Sequence, residues 1–150
     1  MKEHILFICE FNLVRSTVAE RMYSGKEGLE VSSAGIHEDA RVQIDDKILQ
    51  WADRIFVMEA HHYDYLIATF NGVCTQKQIV CLNVSEDYKG ECLDLRQVLT
   101  NQLVPHLGNP VPEYGAVKAA PAKYADAVDL LTQSIGSGKN GYYPTVLEES

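Results

Sequence analysis

Short apolar runs of strand length alternate along this chain with longer segments of helical period. Ile5-Leu6-Phe7-Ile8 reads as a central strand and Arg15 to about Tyr23 as a helix. Leu29-Glu30-Val31-Ser32-Ser33 reads as a second strand that ends at Ala34-Gly35. Val42 to Trp51 reads as helical, because Ile44, Ile48 and Trp51 fall on one face. Arg54-Ile55-Phe56-Val57-Met58 is a third strand, His61 to about Phe70 a helix, Gln78-Ile79-Val80-Cys81-Leu82 a fourth strand, and Leu93 to Leu107 a closing helix. Strands separated by helices imply an α/β fold: a three-layer sandwich with a central four-stranded parallel sheet flanked by helices. Sites in such sheets lie beyond the carboxyl ends of the strands.

After Gly108 the texture changes. Asn109-Pro110-Val111-Pro112-Glu113-Tyr114-Gly115 is turn-rich, Pro121 to Ile135 has the pattern of one amphipathic helix, and Gly136-Ser137-Gly138-Lys139-Asn140-Gly141 reads as a flexible linker. The expected organisation is an α/β domain over residues 1–107, an extension with one helix packed on it over 108–135, and a flexible tail over 136–150.

With 150 residues and 46% hydrophobic content, the chain can bury one core. Its short apolar runs predict no membrane span and no secretory leader, which implies a cytoplasmic setting. Cys9, Cys74, Cys81 and Cys92 are then expected as free thiols, and none has the paired Cys-x2-Cys spacing of a zinc site, so no metal is expected. The net charge of −8 argues against nucleic acid as a partner. A small positive nest within an acidic protein fits a phosphate displayed on another protein or on a small aryl molecule. No cofactor is called for, and a weak homo-oligomer is left open.

The chemistry is concentrated where the first strand meets the first helix, at Cys9-Glu10-Phe11-Asn12-Leu13-Val14-Arg15-Ser16. The amides of a first helical turn lack intrahelical partners and carry the positive end of the helix dipole, so an anion is stabilised there. A loop curled round the same point adds more amides. Cys9 at the strand end sits in a field that favours the nucleophilic thiolate. Arg15 supplies a planar fork for two phosphate oxygens. Asn12 tolerates a left-handed backbone, and Ser16 can donate to the thiolate or cap the helix. A Cys-x5-Arg spacing alone arises by chance; its position between strand and helix is what points to phosphoryl chemistry.

These residues resemble the low-molecular-weight protein tyrosine phosphatases, in particular their short bacterial relatives. The resemblance runs from Ile5 to Leu99 in four patches: Ile5 to Cys9 with Asn12, Arg15-Ser16 and Ala19-Glu20; Ser33-Ala34-Gly35; Trp51 to Glu59 with His62 after it; and Leu82-Asn83-Val84-Ser85-Glu86-Asp87-Tyr88. It implies a metal-free, two-step hydrolysis in which Cys9 attacks phosphorus and a carboxyl group protonates the leaving phenol oxygen. The family's acid is an aspartate followed by proline; here Glu86 and Asp87 occupy those two positions, and either is a candidate. By the same resemblance Ser33 helps to orient Asn12. Phe11, Leu13 and Tyr88 are candidate walls for a phenyl ring, with plain packing the alternative for each. Tyr63 reads as packing, and His37, His61 and His62 carry no assigned role. Glu10 and Phe11 replace the small or apolar residues usual after the nucleophile, and an inward Glu10 would oppose a dianion.

Two other readings compete. A phosphate-binding regulatory protein with little turnover is favoured by Glu10 and by the Glu86-Asp87 loop. A thioredoxin-coupled arsenate reductase is suggested by the six residues between Cys74 and Cys81, but a Cys81 inside a strand, serving as a small buried residue, speaks against a disulfide relay. Tyr142-Tyr143 beside the linker raises the idea of a kinase target or a self-inhibiting tail.

Overall fold

The computed structural model of the protein describes residues 2–88, 90 and 92–112. The helix expected over Pro121–Ile135, the linker and the terminal tail lie outside them. The chain divides into two compact units, Met1–Val84 and Ser85–Ser150.

The first unit holds the sheet. Its strands are β1 (Glu3–Cys9), β2 (Leu29–Gly35), β3 (Arg54–Val57) and β4 (Gln78–Cys81), and its helices are α1 (Arg15–Tyr23), α2 (Asp46–Trp51), α3 (Ala60–Thr69) and α4 (Asn71–Cys74). All strands are parallel in the order β2-β1-β3-β4, with Cys9 opposite Gly35 and Ile8 opposite Val57. Beyond their polar first residues the two central strands are apolar: Ile5 to Cys9 and Ile55 to Val57 are buried, as strands covered on both faces must be. Alternation sends their side chains to opposite faces. On one face Leu6, Ile8, Ile55 and Val57 form a core with Leu49 of α2, Leu66 of α3 and Cys74 of α4. On the other, the Phe7 ring lies 5.8 Å from Phe56 and 6.4 Å from Tyr23 of α1.

Two elements differ from the sequence reading. The helix expected from Val42 starts only at Asp46. Gln43 bridges Gly35 in parallel fashion, and Gly35 N–H donates to Val42 O while Ile44 N–H donates to Gly35 O, so residues 42–44 extend the sheet edge instead. Asp45 then caps the helix, its Oδ1 accepting from Ile48 N–H at 2.9 Å. The four-residue α4 was not anticipated; a single turn carries no periodic signal. Cys81, expected as buried, is half-exposed because β4 is an edge strand.

In the second unit, α5 (Leu93–Leu107) keeps the bounds read from the sequence, with Leu95, Leu99, Leu103 and Leu107 buried at four-residue spacing and Gly108 ending it at φ 78°. No helix among the described residues is long and apolar enough to cross a membrane.

Candidate active site

Cys9 is the last residue of β1 and Arg15 the first of α1, so the five residues between them are a strand-to-helix loop at the carboxyl end of the central strand. Six consecutive carbonyls at this loop each accept a hydrogen bond from outside it. Cys9 O accepts from Ile36 N–H, Glu10 O from His37 N–H, Phe11 O from Arg41 N–H and Val14 O from Val18 N–H. Asn12 O accepts from Arg41 Nε, and Leu13 O from the Thr17 hydroxyl. No peptide here is cis, and a trans peptide sets each N–H antiparallel to the preceding C=O. The N–H groups of Glu10 to Arg15 are therefore turned to the opposite edge of the loop.

Asn12 makes the curl, at φ 58°, a conformation that few non-glycine residues accept. Its side chain, fully buried, starts a polar chain that ends at the thiol. Nδ2 donates to Ser33 Oγ at 2.9 Å and to Ser16 Oγ at 2.8 Å. Ser33 in turn donates to Glu20 Oε1 at 2.5 Å. Ser16 Oγ lies 3.0 Å from Cys9 Sγ, and once Cys9 is a thiolate the hydroxyl is the donor of that bond. Cys9, Asn12, Ser16, Glu20 and Ser33 are all buried. Gly35 is what lets this loop close: a Cβ there would lie 2.6 Å from Glu10 O and 2.9 Å from Asn12 N.

Arg15 is 5% exposed. Its Nη1 donates to Glu59 Oε2 at 2.5 Å and to Val84 O at 2.7 Å. Both bonds use the same nitrogen, so the guanidinium plane is fixed while the edge formed by Nε and Nη2 is not used by either.

Glu59 is the N-cap of α3 in a reciprocal capping box: its side chain accepts from the backbone of His62, and its own N–H donates to His62 Nδ1 at 3.0 Å. That bond fixes the His62 tautomer, with its proton on Nε2. Nε2 lies 3.5 Å from Glu10 Oε1, and the same oxygen is 2.9 Å from His61 Nε2. The His62 and His61 imidazoles hold the Glu10 carboxyl down at about 2, against the desolvation that would raise it. Burial holds His62 itself below its ordinary value, opposed by Glu10 and reinforced by Arg15 and His61. Glu10, His61 and His62 offer ligand atoms within 4.8 Å of one another, the grouping of a two-histidine, one-carboxylate metal site. The tautomer sets a protonated Nε2 toward this grouping, 3.5 Å from Glu10 Oε1 and without a hydrogen-bond partner, whereas a metal on Nε2 would need the proton on Nδ1, which accepts from Glu59.

Phe11 and Leu13 are exposed at 42% and 43%, and the Phe11 ring lies 4.5 Å from that of His37. Tyr63 is exposed as well. Glu86, Asp87 and Tyr88 belong to the second unit, where Asp87 N–H donates to Ser85 Oγ at 2.9 Å. All four cysteines are free. Burial pushes the Cys74 thiol up from its ordinary value, with Lys77 opposing and Asp46 adding, a poor setting for a redox thiolate. Three contributors went unassigned in the sequence: Glu59, His62 and Glu20. The spacing Glu59-Ala60-His61-His62, three residues from cap to partner, was the available signal for the first two.

No family model matches the chain, and no curated protein matches it. Solved structures do. The tyrosine phosphatase AmsI of Erwinia amylovora superposes with a TM-score of 0.56 at 19% identity over 68% of this chain and 89% of its own. The YwlE arginine phosphatase of Geobacillus stearothermophilus gives 0.55 at 17% identity over 92% and 99%. The low-molecular-weight protein tyrosine phosphatase of T. tengcongensis gives 0.56 at 17% identity over 71% and 100%. The fold is thus that of the low-molecular-weight protein tyrosine phosphatases.

Proposed function

We propose that this protein is a cysteine-dependent phosphatase that hydrolyses phosphotyrosine-type monoesters, on a phosphorylated protein or a small aryl phosphate. The observation that carries the reading is the run of six outward carbonyls from Cys9 to Val14. It commits the N–H edge of Glu10 to Arg15 to an oxyanion beside the Cys9 sulfur, which Ser16 Oγ meets at 3.0 Å. Cys9 thiolate attacks phosphorus, and the bond to the phenol oxygen breaks as Glu86 or Asp87 protonates that oxygen. Water then attacks the cysteinyl phosphate, giving its proton to the same carboxylate and releasing phosphate and the thiolate. Arg15 grips two equatorial oxygens through Nε and Nη2 while Glu59 and Val84 O hold its plane. Ser16 steadies the thiolate, and Ser33 steadies Asn12. Among neighbours named for tyrosine and for arginine, the exposed Phe11 and apolar Leu13 favour an aryl ester here, with Tyr88 as a further wall.

The test is hydrolysis of para-nitrophenyl phosphate with chelator present, by the wild type and Cys9→Ser. Turnover by the wild type, lost in Cys9→Ser, is the expected result. Phosphate binding without turnover by the wild type would establish the phosphate-binding regulator instead. Cys74→Ser and Cys81→Ser are expected to leave turnover unchanged; dependence of arsenate reduction on either would revive the reductase.

A further inference from the structure

Glu10 poses an electrostatic problem. It follows the candidate nucleophile directly in a loop read as binding a dianion, and a carboxylate one residue away would weaken phosphate binding by about tenfold or more at the short separations and intermediate dielectric of such a site. In the structure its carboxylate is engaged by two imidazoles. A single oxygen, Oε1, meets both His61 Nε2 at 2.9 Å and His62 Nε2 at 3.5 Å.

The two histidines are unequal. His62 is fully buried and locked by the Glu59 cap bond, its Nε2 without a hydrogen-bond partner. His61 is 55% exposed on its side chain and carries no cap function. Its other nitrogen, Nδ1, lies 3.9 Å from Glu59 Oε1, and Glu59 binds Arg15 through its second oxygen. His61 thus stands between the two carboxylates that flank the loop, one beside Cys9 and one on Arg15.

We propose that His61 is a positioning residue for the phosphate loop: through its 2.9 Å hydrogen bond to Glu10 Oε1 it keeps that carboxylate engaged outside the anion nest, so that a phosphate dianion can bind. The groups facing Glu10 are His61 and His62; those facing His61 are Glu10, Glu59 and the His62 ring, 4.2 Å away, with Arg15 behind Glu59. No substrate contact by His61 is involved. The inference rests on the phosphatase reading of the same loop and explains how that loop tolerates an acidic residue next to its nucleophile.

The experiment is a two-by-two comparison of wild type, His61→Ala, Glu10→Gln and the double variant of the full chain. It reads inorganic phosphate affinity by calorimetry together with KM and kcat for para-nitrophenyl phosphate. His61→Ala should weaken phosphate binding and raise KM by about tenfold, with a smaller change in kcat. In the Glu10→Gln background the same substitution should change both by less than twofold, because the carboxylate to be held is gone. His61→Gln, which keeps a donor but not a charge, should fall between.

Equal losses in both backgrounds, concentrated in kcat, would make His61 a direct proton donor and overturn the proposal. Wild-type phosphate affinity and kinetics in His61→Ala would overturn it as well, leaving the phosphatase intact. A wild type that neither binds phosphate nor turns over the ester would instead remove the phosphatase reading, and this inference with it. Thermal melts of all four proteins show whether each is folded; the exposed His61 predicts little change on its own removal.

Discussion

Ser33→Ala tests the polar chain that runs from Glu20 to the thiol. Ser33 is 3% exposed, donates to Glu20 Oε1 at 2.5 Å and accepts from Asn12 Nδ2 at 2.9 Å. Truncation deletes both bonds at a site too buried for bulk water to replace them. A bond to a carboxylate is worth about 1.5–3 kcal/mol and a neutral one about 0.5–1.5 kcal/mol, so a loss of about 2–4 kcal/mol is expected. For a chain of this size that corresponds to a fall in Tm on the order of 5–12 °C. Asn12 would keep its bond to Ser16 but lose its second anchor, and the loop it curls would be less well fixed. A drop in kcat of about tenfold follows from loosening the nucleophile's neighbour.

Coupling separates this chain from two unrelated contacts. Asn12→Gly preserves the left-handed backbone at φ 58° while deleting the side chain. In that background Ser33→Ala should cost about 1 kcal/mol less than in the wild type, since the bond between the two residues is already gone. Denaturant melts of the four proteins give the cycle. A Ser33→Ala loss below about 0.5 kcal/mol, or strict additivity with Asn12→Gly, would refute the claim that the two side chains act as one unit.

Gly35→Ala places a Cβ 2.6 Å from Glu10 O, 2.8 Å from Ala40 Cβ and 2.9 Å from Asn12 N; two of these are loop backbone, so a loss of about 1–3 kcal/mol and on the order of 100-fold in kcat is expected from melts and ester hydrolysis. Arg15→Lys keeps the charge but has no planar fork to serve Glu59 and two phosphate oxygens together, and should lower kcat/KM by on the order of 100-fold or more in steady-state assays. Burial pushes the Tyr23 hydroxyl from 10.0 up to about 12. Its native form therefore holds a proton that the unfolded chain releases first: the stabilisation is present below pH 10 and falls by about 2 kcal/mol as pH rises to 12. Urea midpoints across that range should fall less steeply in Tyr23→Phe, and identical slopes would refute the assignment.

Where a segment's pattern had one structural meaning, the sequence reading and the structure agree. The apolar runs at Ile5 and Ile55 are strands because both faces of the sheet are covered, and Leu95 to Leu107 is a helix because its leucines repeat every four residues. Val42 and Ile44 misled because apolar residues two apart on a sheet edge also fit a helical face that includes Ile48 and Trp51. Asp45, three residues before the Ile48 N–H it caps, carried the correct boundary. The candidate site divides in the same way. Cys9, Asn12, Arg15 and Ser16 are contiguous, so local spacing reveals them. Glu20, Ser33 and Glu59 reach the loop only through sheet pairing and the fold-back of α1 and α3, which no local window contains.

The N-terminus of α3 shows why those distant contributors matter. Its reciprocal cap is an ordinary device for ending backbone donors, yet each partner has a second function. The Glu59 carboxylate fixes the plane of Arg15, and the His62 ring, its tautomer set by the Glu59 N–H, packs its Nε2 3.5 Å from Glu10 Oε1. One capping box thereby orders a cation on one side of the loop and an anion on the other. A substitution that weakens the cap must loosen both charges, whereas one that removes only the Glu59 carboxylate, such as Glu59→Gln, spares the His62 tautomer. Loss of Arg15 alignment with Glu10 still held away is then the expected pattern. It would appear as weakened phosphate binding that Glu10→Gln cannot relieve, the opposite of the behaviour expected for His61.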